Sequence, residues 1–392
     1  MPVLLYLLAV AVFAQGTSEF VLAGLLPGIA TDFEVSLSQA GLLTSSFALG
    51  MVIGAPAMAA AARRVSPRWT LTGFLALFIA AHVVGAITDS FAVLLTSRIV
   101  AALANAGFLA VALSTVTRIV PAERHTRALA IILGGTTVAL IAGVPAGAFV
   151  GDLLGWRATL WAIALLCLPA IVAVLAATPT RPSEAAGVGG SRSIGRELAS
   201  LRSRPVQLNL VLAVLVNAAT FCTFTYLAAI ATGPAGLTER MVPLLLAVFG
   251  IGAFLGVYVA GQFGDRHWRR LITYTGPLLM AGWALLAFTN ASPAALWVLT
   301  LTQGTLSFAL GSTLIARIIA TAHAAPTMGG SFATVALNIG AVIGPIAGGF
   351  AIEATGAVGP ILLSAILVFF AVLLWSSMSV LSRRGGAMPA AQ

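Results

Sequence analysis

Two ionisable side chains sit where an apolar chain tolerates them least. Glu19 lies in Gly16-Thr-Ser-Glu-Phe20 and Arg98 in Ser97-Arg-Ile-Val, each inside a long apolar run, and no other Asp, Glu or Arg falls clearly within one. If those runs span a bilayer, a charge near its centre costs at least about 2.5–3.5 kcal/mol, so such residues face a cavity and pair. Glu19 stands eight residues before the end of its run and Arg98 seven after the start of its own. At about 1.5 Å per residue, both are then roughly 10–12 Å below the same surface. A carboxylate beside a cation stays ionised, and one parted from it in an apolar site takes up a proton. The chemistry this pair can do is proton carriage, and Glu19 and Arg98 are the candidate proton-coupling residues; the alternatives are that they only hold two helices together, or that Glu19 also contacts substrate. His82 is a weaker candidate, since a lone histidine among Ala and Val more often packs helices together.

The elements that must position this pair follow from composition. The chain has 392 residues, 60% of them hydrophobic and only 8% charged, with a mean hydropathy of +1.06. A soluble domain needs about 25% charged residues, so most of this surface faces lipid. Twelve runs have the roughly 20 apolar residues that a span requires. They cover residues 3–27, 38–62, 69–88, 91–117, 128–150, 158–177, 207–231, 241–262, 271–289, 293–317, 329–352 and 359–381. The first continues past any cleavage point and reads as a span, not a secretion signal. The fold class is an all-α polytopic membrane protein.

The chain also repeats itself. Gly54-Ala-Pro leads through an apolar run to Arg63-Arg64-Val-Ser-Pro-Arg68, and Gly256 leads likewise to Gly261-Gln-Phe-Gly-Asp265-Arg266-His-Trp-Arg269-Arg270. Gly143-Val-Pro145-Ala-Gly147 is echoed by Gly344-Pro345-Ile-Ala-Gly348-Gly349. A membrane unit duplicated at about 200 residues predicts two pseudo-symmetric six-helix bundles with a site between them. The bundles are expected at 1–177 and 207–392, joined by a Gly-, Ser-, Pro- and Arg-rich linker at 178–206. With both termini in the cytoplasm, seventeen of the 20 basic residues (all arginine) fall on the cytoplasmic side. Only Arg157 and Arg240 fall outside, as the positive-inside rule requires. The net charge of +9 is thus an orientation signal, and no nucleic-acid partner is expected.

Small residues four apart let helices approach closely, and an internal proline bends them. Gly143, Pro145, Gly147, Gly344 and Pro345 are therefore candidate gating residues, to which the family resemblance given below adds Arg64, Asp265 and Arg266 of the duplicated loops. Polar and aromatic residues inside spans mark a candidate substrate cavity: Asn105, Asn217, Phe221, Thr225, Tyr226, Gln303, Ser307 and Asn338. Neutral polar groups with aromatics suit an uncharged, amphipathic ligand. Each polar group alone could equally bond its own helix backbone.

The 6+6 layout, the loop Gly261-x-x-Gly-Asp265-Arg266-x-x-Arg269-Arg270, Arg98 and the Gly143-x-Pro145-x-Gly147 run resemble the major facilitator superfamily, in particular its 12-helix drug/proton antiporters. Gly16-Thr-Ser-Glu-Phe20, Ala40-Gly-Leu-Leu-Thr-Ser, Ala102-Leu-Ala-Asn-Ala-Gly-Phe, Phe221-Cys-Thr-Phe-Thr-Tyr226, Gly304-Thr-Leu-Ser-Phe and Gly330-Ser-Phe-Ala-Thr-Val-Ala-Leu-Asn338 are similar to the actinobacterial chloramphenicol-resistance exporters. The resemblance implies proton-driven efflux of chloramphenicol, a neutral, aromatic, hydroxylated molecule. It also shows a departure: Arg63 stands where the family's loop carries an acid before its arginine, which puts the first-half latch in doubt.

The expected role is a proton-coupled exporter of a small-molecule drug, working by alternating access in the cell membrane as a monomer. Its partners are the drug, protons and the bilayer, with no cofactor beyond the proton gradient. Export of sugars, nucleosides or related metabolites is the alternative. An enzyme is not expected: His82, His125, His267 and His323 are scattered, no paired-acid motif exists, and the two cysteines lie in apolar runs. The polar residues form no repeated rings of one kind, which disfavours a passive channel.

Overall fold

A computed structural model describes residues 3–61, 66–121, 124–178, 199–322 and 329–385, and among these the regular structure is helical. In order, the helices are α1 (Val3–Phe20), α2 (Leu22–Asp32), α3 (Leu37–Ala61), α4 (Pro67–Ile87), α5 (Phe91–Ile119), α6 (His125–Val138), α7 (Val144–Leu154) and α8 (Trp156–Ala177). The second half holds α9 (Arg204–Phe224), α10 (Leu227–Thr232), α11 (Val242–Phe288), α12 (Pro293–Thr321), α13 (Gly329–Thr355) and α14 (Val358–Gly385). Eleven stretches among the described residues are long and apolar enough to cross a membrane, and the bent pair α1–α2 makes a twelfth. Helices are the expected outcome, because hydrocarbon offers no partner for a free backbone N–H or C=O.

Five spans differ in shape from the sequence expectation. The first runs to Asp32, beyond the expected residue 27, and bends by 52° between α1 and α2. The span expected at 207–231 breaks at Thr225 and Tyr226, between α9 and α10. The fifth is α6, a π-helical turn (Ala139–Gly143) and α7. Pro145 explains that turn: it has no N–H to give to the carbonyl one turn back, and the ladder slips so that the Val144 N–H reaches Ala139. The eighth and ninth run on as the single helix α11, kinked at His267 (φ −126°, ψ 23°). Of the expected linker, residues 179–198 lie outside the described residues, Ser200–Arg202 forms a 3₁₀ turn, and α9 already starts at Arg204.

One packing plan is used twice. In the first half, the glycines of α6, the π turn and α7 abut the first span: Gly135 meets Ala9 and Phe13, Gly143 meets Thr17, and Gly147 meets Val21. In the second half, Gly340, Gly344 and Gly348 of α13 lie against the α9 backbone at Val214, Ala218 and Cys222. Likewise Gly50 and Gly54 seat α3 on α5, while Gly252, Gly256 and Gly304 seat α11 on α12. At these positions a methyl group would push the helices apart, which is why small residues recur there.

The halves meet along two seams. In one, α3 packs on α13, with the Ser45 hydroxyl donating to the Val342 carbonyl at 2.9 Å and Ser36 to Glu353 Oε1 at 2.8 Å. In the other, the π turn and α7 pack on α11, with Gly250 against Leu140 and Gly24 of α2 wedged between Leu246 and Ala148. This second seam lies towards the Asp32 end of the molecule.

Candidate functional site

Arg98 is 2% exposed and held by four helices. The short turn at residues 88–90 returns the chain antiparallel from α4 into α5, and so brings His82 and Arg98 to one level. From α5, Arg98 Nη1 donates to Ser18 Oγ (2.8 Å) and Nη2 to the Ser18 carbonyl (2.6 Å), both on α1. The Phe47 ring of α3 lies 4.6 Å from the guanidinium carbon, a cation–π contact. Ser18 Oγ lies 2.7 Å from His82 Nε2 of α4, and His82 Nδ1 lies 2.8 Å from the Phe78 carbonyl. Only Nε of Arg98 is left buried without a partner.

Glu19 is the next residue along. No hydrogen bond or ion pair joins it to Arg98 among the described residues, although their charges lie close enough to interact. The expected pair is therefore adjacent but not in contact, and Arg98 is bonded to Ser18 instead. Glu19 is partly exposed while its neighbours Ser18 and Phe20 are buried. One turn away, Gln15 is 1% exposed with neither amide atom hydrogen-bonded.

An aromatic row crosses from one half to the other beside Glu19. Phe20 faces Phe221 at 6.0 Å between ring centroids, Phe221 faces Phe224 at 6.0 Å, Phe224 stacks on Phe249 at 4.5 Å, and Phe249 meets Phe308 at 6.1 Å. Of the candidate cavity residues, Phe221 lies on this row. Several others act as stitches: Asn217 donates to the Leu337 carbonyl (2.6 Å), Tyr226 to the Pro345 carbonyl (2.7 Å) and Gln303 to the Leu279 carbonyl (2.9 Å). Asn338 bonds its own helix at Thr334, and Asn105 reaches the Met51 sulfur at 3.6 Å. Thr225 and Ser307 are buried with hydroxyls that have no partner, as is Gln303 Oε1.

The gating candidates divide similarly. Gly143, Pro145, Gly147, Gly344 and Pro345 form the two glycine–proline segments that pack on the first span of each half. Arg266 is exposed beside the His267 kink. Arg64 and the side chain of Asp265 lie outside the described residues.

Sequence reasoning missed Ser18, Gln15, Phe20, Phe47 and Phe249, and ranked His82 as a weaker candidate that more often only packs. One signal was present: His82 lies six residues before the end of its run, close to the depth of Arg98. The rest had no mark in the sequence, since an apolar aromatic or a serine within a span is ordinary.

A cavity of about 590 Å³ opens at the Asp32 end, lined from both halves by residues including Pro27, Asp32, Asp152, Arg157, Thr232 and Glu239. Two of its charges are engaged with each other: Arg157 bonds Asp32 and also reaches Asp89 at 3.2 Å, and the Trp156 indole donates to Asp32 at 3.0 Å. These solvent-exposed pairs tie the ends of α2, α4 and α8 and add little stability each.

Comparison with known proteins agrees with this architecture. Residues 8–335 match the family model of the Major Facilitator Superfamily. The chain is 52% identical over 374 residues to a chloramphenicol resistance protein of Streptomyces lividans, covering 95% of both. It is 30% identical over 347 residues to the inner membrane transport protein YdhP of Escherichia coli K12, covering 88% of both. In fold, it is similar to an inward-facing crystal structure of a bacterial homologue of the human lysosomal transporter Spinster, with a TM-score of 0.74, 18% identity and 96% of both chains covered. The chain belongs to the Major Facilitator Superfamily.

Proposed function

We propose that this protein exports chloramphenicol, or a similar neutral aromatic drug, across the cell membrane in exchange for protons, and so confers resistance. The observation that carries the coupling is the unpaired Glu19 carboxylate. It sits at the bend of the first span, between a buried guanidinium and an aromatic row that bridges the halves. The 52% identical relative, named for chloramphenicol resistance, supports the substrate.

In this reading Glu19 takes a proton while Arg98 is held on Ser18. Drug entering beside Phe20 and Phe221 displaces that proton, and the halves then rock about the site. The glycine–proline segments of α7 and α13 bend as they do so. Apolar rings stack with the aryl group, while unpartnered polar groups such as Gln15 and Thr225 offer bonds to hydroxyls. Energy comes from the proton gradient alone, with no cofactor, and the working unit is a monomer. Both termini face the cytoplasm, which places seventeen arginines on the side that the positive-inside rule requires.

The test is proton release from purified protein when chloramphenicol is added. Wild type releases protons on binding drug, and Glu19→Gln binds drug but releases none. Equal release from the variant refutes Glu19 as the carrier. Unchanged chloramphenicol accumulation in cells with and without the protein refutes the drug assignment.

A further inference from the structure

The hydrogen bonds around Ser18 can run in only one direction. Arg98 has donors and no acceptor, so Ser18 Oγ must accept from Nη1. The Phe78 carbonyl, 2.8 Å from His82 Nδ1, can only accept, so Nδ1 carries the hydrogen of the neutral ring. Nε2 is then an unprotonated acceptor, and the Ser18 hydroxyl 2.7 Å away donates to it. All four groups are buried: Ser18 is 0% exposed, Phe78 0%, His82 2% and Arg98 2%. A chain of this kind, closed to water, is fixed by whichever member has the fewest alternatives. That member is the imidazole, because the Phe78 carbonyl fixes the hydrogen on Nδ1 and leaves Nε2 only as an acceptor.

We propose that His82 is a positioning residue for proton exchange: its ring orients the Ser18 hydroxyl so that Arg98 docks on Ser18 and leaves Glu19 without a counterion. Glu19 is one residue from the dock, and Arg98 keeps a free, buried Nε–H. The guanidinium therefore has two places to go, and the imidazole decides between them. Among the described side chains packed around α1, Arg98 is the cation close to Glu19. Asp152 on α7 and Arg157 on α8 stand at the Asp32 end, and Cys167 on α8 is a neutral buried thiol. The inference rests on Glu19 as proton carrier but makes a separate claim about what keeps that acid unpaired.

The experiment compares His82→Leu, His82→Gln and Ser18→Ala with wild type. It measures protons released per chloramphenicol bound at neutral pH, and drug affinity on the same samples. Leucine removes the acceptor for Ser18, Arg98 turns to Glu19, and the acid is already ionised before drug arrives. Release per drug bound is then expected to fall by more than about half, with affinity kept. Glutamine restores an acceptor at similar reach and is expected to restore release. Ser18→Ala keeps the carbonyl but loses the hydroxyl, and is expected to behave as leucine does.

Release from His82→Leu equal to wild type overturns the proposal, as does equal impairment of the leucine and glutamine variants. If leucine and alanine both abolish drug binding, the chain is a structural tie and the proposal also fails. Glu19→Gln run alongside separates the two claims. Release from it like wild type removes the carrier itself, whereas its silence beside a normal His82→Leu removes only the positioning role.

Discussion

The two halves share one packing plan and differ in what they bury within it. In each, a glycine–proline helix packs on a first span that breaks part-way along, at Val21 in one and at Thr225–Tyr226 in the other. In the first half that region holds an acid, a guanidinium, a serine and an imidazole. In the second it holds Phe221, Phe224, Thr225 and Tyr226, and the nearby helices α11 and α12 are joined by the neutral Gln303–Leu279 bond. Where α5 carries Arg98, α12 carries buried hydroxyls without partners, Thr300 and Ser307. The scaffold is thus indifferent to charge, because close backbone approach depends only on small residues. On the proposed function, this asymmetry puts proton chemistry in the first half and most of the apolar drug surface in the second.

Substitutions paired across the halves test this division. The largest effect is expected at Glu19: Glu19→Gln stops drug-driven proton release and uphill transport in membrane vesicles. By contrast, Gln303→Met, in the second half, keeps both. A Gln303→Met variant that lost proton release would break the comparison.

Arg98→Ala is expected to come next. It removes the donors to the Ser18 carbonyl and hydroxyl and leaves the hydroxyl bonded only to His82, at about 1–3 kcal/mol per buried group left unsatisfied. It also leaves Glu19 without any nearby cation. Lower thermal stability in detergent and loss of proton exchange are both expected. Thr300→Val removes a hydroxyl that already lacks a partner, so its melting temperature should hold or rise.

The glycine–proline segments offer a finer contrast. A Cβ at Gly344 would meet the Ala218 and Cys222 backbone, whereas one at Gly143 would meet chiefly the movable Thr17 side chain. Overpacking costs about 1–3 kcal/mol, and Gly344→Ala is expected to lie higher in that range than Gly143→Ala in the same melting assay. The smallest effect is expected at the seam. Ser45→Ala loses one bond to Val342, worth about 1 kcal/mol, and should appear as faster amide hydrogen exchange at residues 342–346 with transport retained.

Some of the site could be read directly. Glu19 and Arg98 stand out because charge is rare in lipid-spanning runs, and their depths follow from counting residues. That Arg98 would choose Ser18 over Glu19 could not be read. Successive residues on a helix differ by about 100° in direction, so neighbours in sequence face different partners, and only the packed rotation of α1 against α5 selects one. Tyr226 and Asn217 looked like cavity wall because polar residues in spans are scarce, yet they bond carbonyls of α13. Composition shows that a polar group is present and not where it points.

The amino-acid sequence alone determined the number of spans, the twofold repeat and the isolation of one acid and one base, since the bilayer imposes length and polarity on every segment that crosses it. The tertiary structure alone decided the breaks in the first span of each half, the Phe20-to-Phe308 row and the Phe78–His82–Ser18–Arg98 chain. Those depend on helix rotation, rotamer and close approach between segments up to hundreds of residues apart, which no local pattern encodes.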